Sequence, residues 1–202
     1  MEDGIRVIDL LARHPATAKF IATKLVRRFV ADDPPTSLVN RATEAFRRTD
    51  GDIRAILLTI LEAPEFFSPE VYQAKVKKPI EYVASALRLM EAETQVTPQL
   101  LRYLGRMGEP LFLAQPPTGY PDVGSSWISS DMLLTRMNFA IDLVANRIDG
   151  ARVQSQAPRD IQAFARMVAP DSLSSATRVA LTESAESDKL ALLLAAPEFQ
   201  RR

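Results

Sequence analysis

The sequence predicts an all-α protein, an irregular multi-helix bundle of about nine helices with one long Pro/Gly-rich loop. Apolar residues recur every three to four positions along most of the 202-residue chain, which is the period of an α-helix. No two alternating apolar-polar runs are joined by hairpin turn residues. Glycine is scarce at 7 residues whereas proline occurs 14 times, a composition that suits helices joined by proline-containing turns.

The predicted helices of the first half end at turn residues. An apolar stripe before residue 13 forms the first helix, and His14-Pro15 restarts the chain because proline suits the first turn of a helix. Asp32-Asp33-Pro34-Pro35 ends the second helix, and Asp50-Gly51-Asp52 separates helices at 36–49 and 53–61. The second helix is predicted to bury Ala18, Ile21, Ala22, Leu25 and Phe29, with Phe20, Val26 and Val30 as a second apolar face.

The second half begins with helices that open at Pro79 and at Thr97-Pro98, where a threonine cap precedes a first-turn proline. The longest helix is predicted to begin at Ser129 or Ser130 and to stop at Asp149-Gly150. Three shorter helices are predicted at 158–168, 172–181 and 187–196. The core-facing stripe of the longest helix is predicted to be Leu133, Met137, Ala140, Ile141, Val144 and Ile148.

The domain prediction is one helical domain over residues 1–202, since this length suits a single compact domain. It has a first helical part at 1–107, an irregular loop at 108–130 and a second helical part at 131–202. One short motif, Ala-Pro-Glu-Phe, follows an apolar helix twice, at 63–66 and at 196–199. We interpret it as a reused helix terminator in which proline stops the helix and glutamate caps the next segment of the chain; a duplicated unit is the alternative.

The composition excludes several classes of chemistry. The 25 Lys and Arg balance 25 Asp and Glu, which gives no reason to expect nucleic acid as a partner. The absence of Cys and the single His exclude thiolate catalysis and Cys- or His-based metal sites, so no metal, cofactor or catalytic residue is predicted. No apolar run approaches the ~20 residues of a membrane span, and no secretory signal is seen. The sequence does not predict the cellular compartment of the protein.

The segment 108–126 is the main candidate site. It holds four of the prolines and three of the glycines, and unstructured connections longer than ~12–15 residues are often functional. In a binding loop, Tyr120 and Trp127 would offer flat surfaces, and Asp122 and Arg136 would offer polar contacts. The alternative is a proline-stiffened strap whose aromatic residues cover the bundle, since aromatic side chains usually belong to the core.

Four further groups each have a functional and a structural interpretation. His14 is either a general base for Ser125 or Ser126, or a helix cap. Each of the other three groups is either a solvated polar surface or a binding site. The functional interpretations are an anion contact at Lys24, Arg27 and Arg28, a carboxylate-bearing partner at Lys75, Lys77 and Lys78, and a metal site at Asn138, Asp142 and Asn146.

The order of several motifs resembles one known family. They are residues 10–22 (LLARHPATAKFIA), Lys24-Leu25, 28–30 (RFV), Phe46-Arg47, 49–54 (TDGDIR), Lys75-Val76-Lys77 with Pro79, Trp127-Ile128, Leu133-Leu134, 136–140 (RMNFA) and the closing 196–202 (APEFQRR). The chain resembles the bacterial domain-of-unknown-function 1800 family. The resemblance implies a chain that corresponds to the C-terminal half of longer, often exported members, and it implies no established reaction.

These patterns support two functional hypotheses. The first is a non-catalytic interaction or assembly module, whose partner is a second copy in a homodimer or the missing N-terminal half of a longer member. The alternative is an enzyme or half-enzyme with a His- and Cys-independent site under the 108–127 loop. That site would use Asp122, Arg136 and Tyr120, which must then converge in one concave pocket.

Overall fold

A computed structural model describes residues 2–154, 160–169 and 173–202. Ten α-helices and one two-stranded sheet lie in these residues, which confirms the all-α prediction with one helix more than expected. The chain divides into two compact units, Met1–Lys75 (unit 1) and Val76–Arg202 (unit 2). The predicted division at 107/108 and 130/131 within one domain stays a prediction.

Unit 1 contains four helices and a terminal 3-10 turn. They are α1 (Glu2–Arg13), α2 (Pro15–Phe29), α3 (Thr36–Arg48), α4 (Ile53–Leu61) and the 3-10 turn at Pro64–Phe67. The buried core is aliphatic and consists of Ala22, Val26, Val30, Leu38, Val39, Ala42, Ala45, Ile56, Ile60 and Ala63. All of its members lie on α2 to α4 or directly after them, so α1 contributes nothing to this core.

The buried face of α2 matches the predicted one at Ala18 and Ala22 but not at Phe29. Ala18, Ala22 and Val26 form a buried row at i, i+4 and i+8, whereas Phe29 is exposed. The small alanines allow a close approach to the neighbouring helix along this row. Of the predicted second apolar face, Val26 and Val30 are buried in the core, whereas Phe20 is exposed.

The described residues of unit 2 form six helices, two short strands and two 3-10 turns. They are α5 (Pro79–Leu89), β1 (Glu93–Thr94), α6 (Pro98–Arg106), Gly124–Trp127 (3-10), α7 (Ser130–Val144), β2 (Ala151–Arg152), α8 (Ile161–Val168), α9 (Ser175–Glu183), Glu186–Asp188 (3-10) and α10 (Lys189–Ala195). The strands pair antiparallel, with Glu93 opposite Arg152. The two strands are two residues long and far apart in the sequence, so no hairpin pattern could predict them. The predicted helix starts at 158 and 172 lie outside the described residues.

The core-facing side of α7 matches the predicted stripe only at Ala140. Thr135, Arg136, Phe139, Ala140 and Leu143 are buried, whereas the predicted Leu133, Met137 and Ile141 are exposed. The helix carries apolar residues on two sides, and aromatic packing selects one of them. The ring of Phe139 makes edge contacts with two tyrosine rings, at centroid distances of 5.8 Å to Tyr82 and 5.2 Å to Tyr103.

The end of α7 also comes earlier than predicted. The helix stops at Val144, and Asn146 has a φ of 54°, the left-handed conformation that commonly comes after a helix end. The main-chain N–H of Arg147 then donates to the carbonyl of Asp142 at 2.8 Å. The predicted stop at Asp149-Gly150 is therefore wrong, and Ile148 is buried beyond the helix rather than within it.

Candidate functional site

The predicted irregular segment is confirmed, because residues 107–123 contain neither helix nor strand. The Tyr120 hydroxyl donates to the carbonyl of Pro110, and the Tyr120 ring meets the Trp127 ring edge-on at a centroid distance of 6.0 Å. Only 2% of the Trp127 surface is exposed. This geometry supports the strap interpretation, since the two aromatic rings pack against each other and Trp127 is buried.

Asp122 and Arg136 bind different partners. The Lys78 ammonium lies 2.9 Å from Asp122 Oδ1, with both side chains partly shielded from solvent. Arg136 donates from Nη1 to Gln200 Oε1 and from Nη2 to the Lys77 carbonyl, each at 2.8 Å. The binding roles of Tyr120, Asp122, Trp127 and Arg136 stay a prediction, as does the enzyme hypothesis that requires them to converge.

Two carboxylates at the start of α5 were not anticipated. Glu109 Oε2 accepts from the main-chain N–H of Ile80 at 2.9 Å, and Glu81 Oε2 accepts from that of Lys78 at 2.9 Å. They satisfy N–H groups at the helix start, where negative charge is favoured. Burial raises the pKa of the Glu109 carboxyl. Glu81 is the third residue after Lys78, which is the spacing of the glutamate in a capping box, so the local sequence could have identified its role. No local pattern identifies Glu109.

The three lysines before Pro79 have separate environments. Lys75 is buried in unit 1, where its ammonium bonds Asp32 Oδ1 at 2.5 Å and the Arg27 carbonyl at 2.7 Å. The Lys77 ammonium lies 3.9 Å from the centroid of the Phe199 ring in unit 2, and burial lowers the pKa of Lys77 to about 8. Lys75 and Lys78 therefore pair with carboxylates of the chain itself, Asp32 and Asp122, as the structural interpretation of these lysines expects.

The remaining candidates of unit 1 have local structural partners. His14 Nδ1 accepts from the Ala16 main-chain N–H at 3.2 Å, so His14 caps α2 as the structural interpretation predicted. Arg27 Nε donates to the Asp32 carbonyl at 3.1 Å, and the Lys24 ammonium lies 5.5 Å from the Phe20 ring centroid. An anion contact at Lys24, Arg27 and Arg28 stays a prediction.

The polar stripe of α7 is tied to neighbouring structure. Asp142 accepts from the Tyr103 hydroxyl and from Arg147 Nε at 2.8 Å. The Asn146 amide bonds the main chain of Val153 in both directions. Within residues 2–154, 160–169 and 173–202, no group of three His, Cys, Asp or Glu side chains is placed to hold a metal ion.

The two Ala-Pro-Glu-Phe motifs share one arrangement. Glu65 accepts from Ser37 Oγ at 2.9 Å and from Arg41 Nη1 at 3.0 Å, both on α3. Glu198 accepts from the Ser174 main-chain N–H at 2.8 Å, at the start of α9. Each glutamate therefore bonds an earlier helix in addition to its own main-chain N–H.

Two exposed apolar surfaces stand out. Phe112 is fully exposed with a φ of 61°, at the tip of the irregular segment. The second surface, here named the α1 face, consists of the five large aliphatic side chains of α1, which are between 56% and 67% exposed: Ile5, Val7, Ile8, Leu10 and Leu11. The sequence predicted an apolar stripe on α1 but not its exposure.

These observations define an all-α protein of two compact units, with one long irregular segment and an exposed apolar first helix. The chain belongs to the DUF1800 family, described as proteins of unknown function, whose family model matches residues 1–201. No curated protein and no solved structure matches the chain significantly. In the described part of the chain, every helix is too short or too polar to cross a bilayer.

Proposed function

We propose that this protein is a non-catalytic assembly module that binds a second copy of itself through the α1 face. The single observation that carries the proposal is that no residue of α1 is buried, although five of its twelve residues are large aliphatics. Exposed contiguous apolar surface of this kind marks protein contact sites.

The width of the α1 face indicates what its partner provides. At roughly 100° per residue, the five aliphatic side chains span about 220° of the helix circumference, with Arg6, Asp9 and Arg13 on the remaining side. One neighbouring helix covers a stripe of only about 100°. A symmetric contact in which α1 lies between two elements of the other copy covers the whole face.

Charge favours a second copy as the partner. The formal net charge of the chain is zero, so no net repulsion opposes the approach of two copies. The α1 helix itself is nearly balanced, with three acidic and two basic residues. Burial of the five side chains on association stabilises the dimer by the hydrophobic effect.

Sedimentation equilibrium tests this function. Over about 5 to 500 µM, the weight-average mass of the wild type is expected to rise toward twice that of one chain. Ile8→Asp, which places a charge in the α1 face, is expected to keep the protein monomeric. Arg6→Asp, on the opposite side of the same helix, is the matched control and is expected to dimerise. A wild type that stays monomeric throughout would contradict the proposal.

A further inference from the structure

Helices α7 and α10 of unit 2 enclose an apolar groove, here named the α7–α10 groove. Its cavity measures about 650 Å³ and is lined by Met137, Ile141 and Val144 from α7 and by Ala191, Leu192 and Ala195 from α10, with the polar Arg147, Ser187 and Asp188 also in its wall. This volume lies within the range of small-molecule sites, which are mostly apolar with a few polar groups.

A smaller cavity of about 280 Å³ adjoins the groove, since Met137 and Ala195 line both. Arg136, Gln200 and Arg201 supply its polar wall, and Leu133 and Ile128 are among its apolar lining residues. We name it the arginine pocket. No carboxylate lines it among the described residues, so its charged lining is cationic, whereas Asp188 lies in the wall of the larger cavity.

Arg136 carries a buried charge that no carboxylate in the described part of unit 2 meets within ion-pair distance. The charges of Glu109 and Glu81 and the ring of Tyr82 act on it only from farther away. Only 1% of its surface is exposed, and its guanidinium bonds two neutral acceptors, Gln200 Oε1 and the Lys77 carbonyl. Its buried Nε has no hydrogen-bond partner among the residues that the structure describes. Burial lowers the pKa of Arg136, as expected for a cation removed from water. A buried cation and an unsatisfied donor are both costly unless an anion meets them.

The exposed side of α7 fits this interpretation. The apolar stripe predicted to face the core, Leu133, Met137, Ile141 and Val144, lines these two cavities instead. It therefore forms an apolar path that begins at the buried cation and continues along the α7–α10 groove. An amphiphile whose acidic end enters the arginine pocket matches this order of surfaces.

We propose that the α7–α10 groove and the arginine pocket together bind a small aliphatic carboxylate, such as a medium-chain fatty acid. The carboxylate accepts hydrogen bonds from Arg136, with Arg201 adding a second positive charge, and a charge-assisted contact of this type is among the strong hydrogen bonds of proteins. The alkyl chain lies against Met137, Ile141 and Leu192. This site is separate from the α1 face and does not depend on self-association.

Isothermal titration of the full chain with dodecanoate, below its micelle concentration, tests the proposal. Saturable binding of one equivalent is expected. Dodecanol, which has the chain without the charge, and acetate, which has the charge without the chain, are each expected to bind at least ~10-fold more weakly. Equal affinity for dodecanoate and dodecanol would overturn the role of the arginine pocket, and the absence of saturable dodecanoate binding would overturn the site.

Substitutions at exposed positions locate the binding without relying on Arg136, whose replacement threatens folding. Arg201→Glu reverses the exposed charge of the pocket and Ile141→Asp places a charge in the groove, and each is expected to weaken dodecanoate binding ~10-fold or more. Leu134→Asp is the matched control, because Leu134 is exposed on the same helix and lines neither cavity. If Leu134→Asp weakens binding as much as Ile141→Asp does, the proposed location is wrong.

Discussion

Tyr82 and Arg136 contact each other in two different ways. The Tyr82 hydroxyl donates to the Arg136 carbonyl at 3.0 Å, and the Arg136 guanidinium carbon lies 5.1 Å from the centroid of the Tyr82 ring. Both side chains are fully buried, and together they connect α5 to α7. The ring face gives the buried cation an electrostatic partner where no carboxylate is within ion-pair distance in the described residues.

Tyr82→Phe is predicted to keep the ring contact and to lose the hydrogen bond to the Arg136 carbonyl, which keeps its bond within α7. The free energy of unfolding is expected to fall by about 0.5–1.5 kcal/mol, measured by urea denaturation. Thr182→Ala removes a hydroxyl that bonds the Arg178 carbonyl at an exposed position of α9, and it is expected to change stability by less than about 0.5 kcal/mol. Equal effects of the two substitutions would be inconsistent with a buried Tyr82 bond.

Gly150→Ala is predicted to destabilise unit 2 for two reasons. Gly150 has a φ of 81°, and an added Cβ would lie far inside van der Waals distance of the Gln95 main-chain oxygen. The expected loss is about 2 kcal/mol or more by thermal or chemical denaturation. Gly119 has a φ of 78° but no atom within 4 Å of an added Cβ, so Gly119→Ala should cost only about 1 kcal/mol. A larger loss at Gly119 than at Gly150 would refute this account.

The Glu65 carboxyl is predicted to titrate at unusually low pH. Hydrogen bonds from Arg41, together with those from the backbone and Ser37, lower the pKa of Glu65 to about 2. Because the folded pKa is depressed, this contribution to stability is complete above about pH 4.5 and is lost as the pH falls toward 2. Carbon-detected NMR titration of the side chain measures the pKa directly. Arg41→Met should return the pKa toward 4.5, and an unchanged pKa in that variant would assign the shift to another cause.

Lys77 is predicted to make stability rise with pH in an alkaline window. Burial lowers the pKa of Lys77 to about 8, with Arg136 lowering it further and Glu81 opposing the shift. Between about pH 8 and 10.5 the unfolded chain binds more protons at Lys77 than the folded protein does, so this group favours folding increasingly as the pH rises. As the pH rises through that window, the free energy of unfolding of the wild type should increase relative to that of Lys77→Met. Urea denaturation at several pH values measures this difference. A constant difference would mean that the Lys77 pKa is not depressed.

Helical periodicity and proline positions were sufficient to predict the fold class and most helix positions. They were insufficient to predict which side of α2 and α7 is buried, since both helices carry apolar residues on more than one side. For α7 the choice depends on the aromatic contacts of Phe139 with Tyr82 and Tyr103, which come from distant parts of the chain. Such contacts leave no periodic signal.

The candidate site was predictable only in part. The lone tryptophan and the concentration of proline and glycine identified the irregular segment, and Arg136 was identified as a candidate residue. Its burial and its neutral acceptors, the Gln200 side chain and the Lys77 main-chain carbonyl, depend on residues more than fifty positions away. Glu109 likewise satisfies an N–H of α5 although α6 lies between the two in the sequence.

The central claim is that α1 is completed by a second copy of the chain. An isolated helix of twelve residues is only marginally stable in water, so α1 in a monomer should exchange its amide hydrogens quickly whereas α2 is protected. Hydrogen exchange at about 5 µM and about 500 µM therefore tests the claim most directly. The account predicts fast exchange of α1 at the low concentration and clear protection at the high one, and equal exchange at both concentrations would contradict it.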